Sequence, residues 1–252
     1  MQGTSDVHRQ YPIPERPWVM HQTWERVLFA HWPVPVRLLQ AKLPPAIELD
    51  TFDGQAWLSL VLLFVKDLHA RWMPPIPGAS AFAQANVRTY VVKAGRPGVW
   101  FFQLYASNPL AVALARRFFH LPYERAAIKT EHRADATQFA LSRAHQEQPV
   151  QALTCNYQPN PPVFEATRGS VDAWLTDRYC VYTSYADRLY RADIHHTPWG
   201  LQRANAQWTN NTLFPRCEAL TATPSILHFA ACKRVHVWAP VEADSWTSSL
   251  KS

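Results

Sequence analysis

From Phe82 to Val91 the chain alternates with a period of two: Gln84, Asn86, Arg88 and Tyr90 stand at even positions, and Ala83, Ala85, Val87, Thr89 and Val91 at odd ones. Side chains two apart share a face of a β-strand, so this stretch commits the chain to a sheet. One face of that strand is small and apolar; the other forms hydrogen bonds and carries a guanidinium. In an open sheet the polar face meets water. In a closed, cone-shaped sheet it lines a cavity, where Arg88 is a ready clamp for an anion. Residues 99–106 are apolar on both faces except for Gln103 and Tyr105, which share a side. That suits a pocket wall, or equally a core whose polar groups bond to backbone.

Two later stretches bring histidine into the same pattern. Residues 189–197 place Arg191, Asp193 and His195 on one face and His196 on the apolar one, and residues 226–238 group His228 with Ile226, Ala230 and Cys232. A histidine among apolar neighbours is either a hydrogen-bonded core residue or a group that binds a ligand or moves a proton. The spacing lets His196 and His228 converge. No carboxylate or further His at i+2 or i+4 completes a zinc set, so no metal is expected.

The rest of the chain reads as short elements. Pro35 opens a helix over 36–43 that Pro44 and Pro45 stop. Residues 47–51 and 56–65 form a hairpin about Asp53-Gly54, with Asp50 and Asp53 as turn formers rather than a catalytic pair. Asn108 caps a helix that Pro109 begins and that runs to about residue 120, and Ser170 caps a second over 172–177. Residues 126–157 are expected as two strands with a polar turn near 143–149, and further strands at 179–184, 189–197 and 226–238. Residues 1–16, polar and broken by Pro, read as a loose arm before a single α+β domain over 17–252, dominated by antiparallel strands.

Composition removes several function classes. Apolar residues make up 48% of the 252, and charged ones only 17%, against roughly 25% in ordinary soluble domains, which excludes a disordered chain or a coiled coil. The net charge of +6 is dispersed, and the tightest basic cluster is the pair Arg116-Arg117. Nucleic acid is therefore not the expected partner, whereas a small anion fits. The cysteines at 155, 180, 217 and 232 form no C-x-x-C and sit among apolar neighbours, as buried free thiols do. No nucleophile elbow, P-loop, dinucleotide fingerprint or H-E-x-x-H is present, and no cofactor is implied. The longest apolar run, residues 56–65, is half a bilayer span and the start has no signal-like stretch, so a cytoplasmic protein without a membrane partner is expected. Lys42, Lys66, Lys93, Lys129, Lys233 and Lys251 fall at turns, element ends or charged faces, where nothing desolvates an ammonium for imine chemistry.

Several segments taken in order resemble one family: Leu28-Phe-Ala-His-Trp-Pro-Val34, Leu49-Asp-Thr-Phe-Asp-Gly-Gln-Ala-Trp57, Asn86-Val-Arg-Thr-Tyr-Val91, Gly98-Val-Trp-Phe-Phe102, Leu121-Pro-Tyr123, Arg178-Tyr-Cys180 and Ile194-His-His-Thr-Pro-Trp199. They are similar to the YqjF-like bacterial family of uncharacterised proteins, within the acetoacetate decarboxylase-like superfamily, from about Trp18 to Trp238. The resemblance implies an antiparallel β-cone or barrel with short flanking helices and an interior small-molecule pocket. Because the decarboxylases assemble into oligomers, it also implies self-association. The departures matter. Where the decarboxylases carry two adjacent lysines after a proline, the first forming the Schiff base, this chain has Tyr123 and Glu124. A pocket glutamate of theirs falls on Gln84, a second acid on Tyr105, and an arginine close to Ala30-His31. A phenol forms no imine, so Schiff-base decarboxylation is not expected.

Three readings follow. In the first, the protein is a pocket enzyme of lyase or hydratase type, with Arg88 holding a carboxylate and Tyr123, His196 or Gln84 donating a proton or polarising a carbonyl. Asn86, Tyr105, Gln103 and His228 would complete the ligand-binding set. In the second, loss of the lysine and both acids leaves a ligand-binding or sensor domain without turnover. In the third, aromatics such as Trp72, Trp208 and Trp246 make an interaction module.

Overall fold

The structure, a computed structural model, describes residues 8–78, 80–145, 148–213 and 223–243. In chain order its elements are β1 (Met20–Val34), α1 (Val36–Gln40), β2 (Glu48–Leu49), β3 (Ala56–Ala70), β4 (Phe82–Lys93), β5 (Arg96–Ala106), α2 (Pro109–Phe119), β6 (Tyr123–Arg125), β7 (Ala127–Arg133), β8 (Ala136–His145), β9 (Gln148–Phe164), α3 (Val171–Thr176), β10 (Cys180–Tyr185), β11 (Arg188–His195), β12 (Leu201–Asn211), β13 (Ile226–Val237) and β14 (Val241–Glu242). One sheet runs β14-β11-β10-β5-β4-β3-β1-β13-β12-β9-β8-β7. In addition β11 pairs with β13, Ile194 opposite Val237 and His195 opposite His236. The strands from β11 through β10, β5, β4, β3 and β1 to β13 therefore close on themselves, while β12, β9, β8 and β7 continue as a flap. The fold is the expected α+β type, a mostly antiparallel β-cone with short helices. Parallel pairing occurs where β5 meets β10 and β6. At the β5–β10 seam only a glycine fits: a Cβ on Gly98 would lie 2.7 Å from Cys180 Sγ and 2.9 Å from the Cys180 carbonyl oxygen.

Burial settles what the alternation of β4 left open. Residues 82–91 are all buried, so neither face of the strand is solvated. On the odd face Ala83, Ala85 and Val87 join Leu58, Leu60 and Leu62 of β3, Leu28 and Trp32 of β1, and Phe139 and Leu153 from the flap in one apolar cluster. On the even face Phe82 packs with Val61, Leu63, Phe29, Trp199 and Leu201, and Tyr90 with Trp57, Val99 and Leu175. Helix α3 lies over this second face. The Ser170 hydroxyl accepts from the Ala173 amide at its start, and the Asn108 side chain accepts from Leu110 and Ala111 at the start of α2.

Several expectations change. Residues 126–157 hold parts of three strands rather than two, because the chain also turns at Ala134, in the left-handed region at φ 49; the tip of the expected turn near 143–149 lies outside the described residues. Strand β12 was not anticipated. The expected loose arm is docked from residue 8 onward: Arg9 donates to the carbonyls of Ile194 (2.9 Å) and Tyr11 (3.1 Å), and Arg16 pairs with Asp193 (3.2 Å). Asp50, expected as a turn former, is the partner of Arg178 at 2.6 Å. Cys155 and Cys180 are buried free thiols, whereas Cys232 is exposed, and Cys217 is outside the described residues. Trp72 is exposed, but Trp208 packs beside Trp32, and Trp246 is outside the described residues. Among the described residues no helix is long and apolar enough to cross a membrane.

Candidate functional site

The even face of β4 carries its polar row against α3 rather than out to water. Gln84, Asn86 and Arg88 are each under 9% exposed. Strand β6, parallel to β5, brings Tyr123 to the head of the row, where its hydroxyl donates to Gln84 Oε1 at 2.8 Å. Burial drives the phenol's pKa up, so Tyr123 is a neutral donor at physiological pH. Asn86 Oδ1 has no partner among the described residues. Arg88 donates to the Leu175 carbonyl of α3 at 3.3 Å and lies beside the rings of Phe29 and Tyr90, at 5.6 and 5.7 Å. Its Nε has no partner, and among the described residues no carboxylate pairs with it. Burial lowers its pKa, yet a guanidinium stays charged in any protein environment.

Across the sheet from Arg88 a second polar set continues on the same face. Strand pairing puts Ser59 opposite both Arg88 and His31, and His228 opposite Phe29 and Arg203. Tyr90 Oη lies 2.7 Å from Ser59 Oγ and donates to the Leu175 carbonyl at 3.0 Å. Ser59 Oγ lies 2.7 Å from His31 Nδ1, and His31 Nε2 lies 3.4 Å from His228 Nδ1. His228 Nε2 reaches Asp172 Oδ1 at 2.8 Å, and Arg203 donates to both oxygens of that carboxylate at 2.8 and 2.7 Å. His31 is held far below the usual histidine range by burial, then by His228 and Arg88; burial also lowers His228, against the pull of Asp172. Burial pushes Asp172 up, but hydrogen bonds from Arg203 and His228 outweigh it and leave the carboxyl below its usual value. Both imidazoles are neutral and the carboxylate charged at pH 7. Asp172 and Arg203 open onto a recess of about 400 Å³ walled also by Ile226 and Leu227.

The remaining candidates sit elsewhere. His196 does not meet His228: its ring lies against Tyr179 and Trp199, each with centroids 4.8 Å away, and burial pushes its pKa down to about 3. Tyr105 is part of the odd-face cluster and donates to Gln151 Oε1 at 2.9 Å; Gln103 donates to the Pro122 carbonyl at 3.3 Å. Tyr105 is a buried core group with a partner, and Gln103 is half-buried and bonded to backbone. Lys233 corrects the expectation that no lysine is desolvated: it is buried, donates to Thr197 Oγ1 at 3.2 Å and to the Pro198 carbonyl, and burial lowers its pKa. Sequence reasoning passed over Ser59, Tyr90, Asp172 and Arg203. Ser59 was legible as the single polar residue in the apolar run 56–65, and Tyr90 as the last member of the even row. Asp172 gave no signal beyond that of an acidic first-turn residue in a helix. Among the described residues no group of His, Cys, Asp and Glu has the arrangement of a metal site.

Comparison with known proteins gives the same picture of the fold. The acetoacetate decarboxylase of Legionella pneumophila superposes with a TM-score of 0.62 at 14% identity, covering 96% of each chain. The enduracididine biosynthesis enzyme MppR, in complex with pyruvate, gives 0.61 at 11% identity over 92% of this chain and 93% of that one. The uncharacterized protein YqjF of Bacillus subtilis (strain 168) is 45% identical over 228 residues, 90% of this chain and 93% of its own. The DUF2071 family, described as an uncharacterized conserved protein, matches residues 21–234, so the chain belongs to that family within an acetoacetate decarboxylase-like fold.

Proposed function

We propose that the α3-facing side of the cone binds a small carboxylate and moves a proton on it, without a Schiff-base lysine. The observation that carries this reading is Arg88, a buried guanidinium whose partners are a carbonyl at 3.3 Å and the Tyr90 side chain, with no carboxylate among the described residues. An unpaired buried charge is expensive, and an anion that supplies two charge-assisted bonds relieves it. Asn86 and the Tyr123 hydroxyl stand along the same row to orient the rest of the ligand. MppR, which shares the fold, is described in complex with pyruvate, and 2-oxo acids are the natural first class to test. The lysine of the decarboxylases has no counterpart here, since Tyr123 occupies its place by resemblance; the ligand is then polarised by hydrogen bonds rather than by an imine.

The test is a thermal-shift titration with pyruvate and acetoacetate. Wild-type protein is stabilised in proportion to the logarithm of ligand concentration above Kd, and Arg88→Met abolishes the shift while folding normally. An unchanged shift in Arg88→Met removes the carboxylate from this row. Saturable binding with no change in the ligand would favour the non-catalytic reading, for which the absence of any carboxyl group in the row Gln84–Asn86–Arg88 already speaks.

A further inference from the structure

We infer that Ser59, His31, His228 and Asp172 form a proton relay from the polar row of β4 that carries Arg88 to the surface recess. This rests on the carboxylate reading for its substrate, but its geometry stands alone. Four side chains from β3, β1, β13 and α3 line up with contacts of 2.7, 3.4 and 2.8 Å, and every junction joins a group able to donate to one able to accept. The inner end, where Tyr90 Oη lies 2.7 Å from Ser59 Oγ, faces the strand that carries Arg88. At the outer end Asp172 borders the recess with Arg203.

The charges at the outer end set the direction. Asp172 and Arg203 both touch His228 Nε2, at 2.8 and 2.9 Å. Arg203 Nη1 has a second hydrogen that a bare Nε2 would accept, but that lone pair would still face the negative Asp172 oxygen at 2.8 Å, whereas a proton on Nε2 meets the carboxylate directly. The proton therefore sits on His228 Nε2 and points at Asp172. Nδ1 is then the acceptor for His31 Nε2–H, and His31 Nδ1 accepts from Ser59, whose oxygen in this arrangement accepts from Tyr90 Oη, the phenol turning from the Leu175 carbonyl to Ser59. Neutral imidazoles in this order are poised to carry a proton outward. When a bound carboxylate loses a proton from the carbon beyond its carbonyl, the C–H electron pair passes into the enolate. Ser59 Oγ takes that proton while giving its own to His31 Nδ1. His31 Nε2–H moves to His228 Nδ1, and His228 Nε2–H moves to Asp172, which exchanges with water. The return passage restores the starting tautomers. Ser59 meets the substrate in this scheme; His31 and His228 are positioning residues for the proton.

Two experiments test it. The first needs no ligand: 15N spectra of ring-labelled histidine should show both His31 and His228 protonated on Nε2, and Asp172→Asn should move the ring-nitrogen shifts of both. Opposite tautomers on the two rings, or His31 nitrogens indifferent to Asp172→Asn, overturn the relay. The second follows deuterium entering the methyl group of pyruvate in D2O. Wild type should accelerate the exchange, and Asp172→Asn and His228→Gln should each slow it at least tenfold while the pyruvate thermal shift is kept. Exchange at the wild-type rate in both variants also overturns the relay. Wild-type protein that neither binds pyruvate nor exchanges its protons counts against the carboxylate reading, and the tautomer experiment then decides the relay by itself.

Discussion

A cluster of four arginines and a single buried arginine lie on opposite faces of the sheet, and they solve the problem of burying positive charge in opposite ways. Around β11, Asp193 is 1% exposed and pairs with Arg16 at 3.2 Å, Arg96 at 2.5 Å and Arg191 at 3.3 Å. Arg9 joins them through two backbone carbonyls, leaving only its Nη2 without a partner, and Arg96 stacks 3.7 Å over the Tyr11 ring. One carboxylate, several carbonyls and aromatic faces share the load, and the cluster fastens the N-terminal segment to the closing strand of the cone. On the other side of the sheet Arg88 has one carbonyl at 3.3 Å and two distant rings. A satisfied guanidinium is architecture. Arg88, without a carboxylate among the described residues, is where the proposed ligand sits.

The sharpest way to break that comparison is to remove the carboxylate from the satisfied cluster. Asp193→Asn leaves the guanidiniums of Arg16, Arg96 and Arg191 facing one another without a counter-charge. Stability should fall by about 3–5 kcal/mol, the usual loss when one partner of a buried ion pair is deleted. Urea denaturation monitored by tryptophan fluorescence gives the number, and a loss under 1 kcal/mol would show that the cluster is ornament rather than fastening.

His196 lies between the two regions, its ring against Tyr179 on the arginine side and Trp199 on the α3 side. Burial first, helped by the charges of Lys233, His195 and Arg9, pushes its pKa from 6.5 to about 3. The folded pKa lies below the unfolded one, so the unfolded chain binds the extra proton between those values and stability falls as pH drops below 6.5. By pH 5 that group alone removes about 2 kcal/mol. Asp177, raised by burial from 3.8 to about 6, works in the opposite sense over its own window, favouring the fold as pH falls from 6 to 3.8. The raw slope therefore mixes signs, and the comparison to make is between wild type and His196→Phe. The variant should lose about 2 kcal/mol less than wild type between pH 7 and pH 5; parallel curves would mean the ring is not held neutral.

Tyr123→Phe is a smaller probe of the ligand side. It deletes one neutral hydrogen bond and leaves Gln84 Oε1 without its donor, for an expected loss of about 1 kcal/mol. The 2-oxo acid thermal shift should weaken without vanishing, since Arg88 remains. A vanished shift would move the anion's anchor from Arg88 to the phenol.

How far the sequence disclosed this arrangement depended on whether polarity or contact defined the feature. The period-two row of β4 was readable because the covalent alternation of a strand is local, and so were the caps at Asn108 and Ser170. Strand β12 was not: Leu201–Asn211 is dominated by Gln, Asn, Arg and Ala, with little β-branched content, and it is held as a strand by β9 and β13 on either side. His228 was picked out by its apolar neighbours, but its true partner, His31, comes from a strand almost two hundred residues earlier, and no local pattern joins them. His196 was misjoined to it for the same reason. Asp172 and Arg203 became a site only through the docking of α3 on the cone.

The smallest expected change in stability is the most informative. Arg88→Met keeps the length and apolar stem of the side chain while removing a buried charge. The variant gives up the bond to the Leu175 carbonyl and the Tyr90 contact, a charged bond being worth about 1.5–3 kcal/mol, and gains comparable relief from the desolvation of a cation without a counter-charge. The two terms oppose each other, so the denaturation midpoint should stay within about 1 kcal/mol of wild type, or rise. Meanwhile the thermal shift with pyruvate should disappear. Asp193→Asn should show the reverse, a large loss of stability with ligand affinity kept in whatever fraction remains folded. If Arg88→Met instead unfolds the protein as severely as Asp193→Asn, its guanidinium is as structural as the other four, and the distinction between Arg88 and the Asp193 cluster fails.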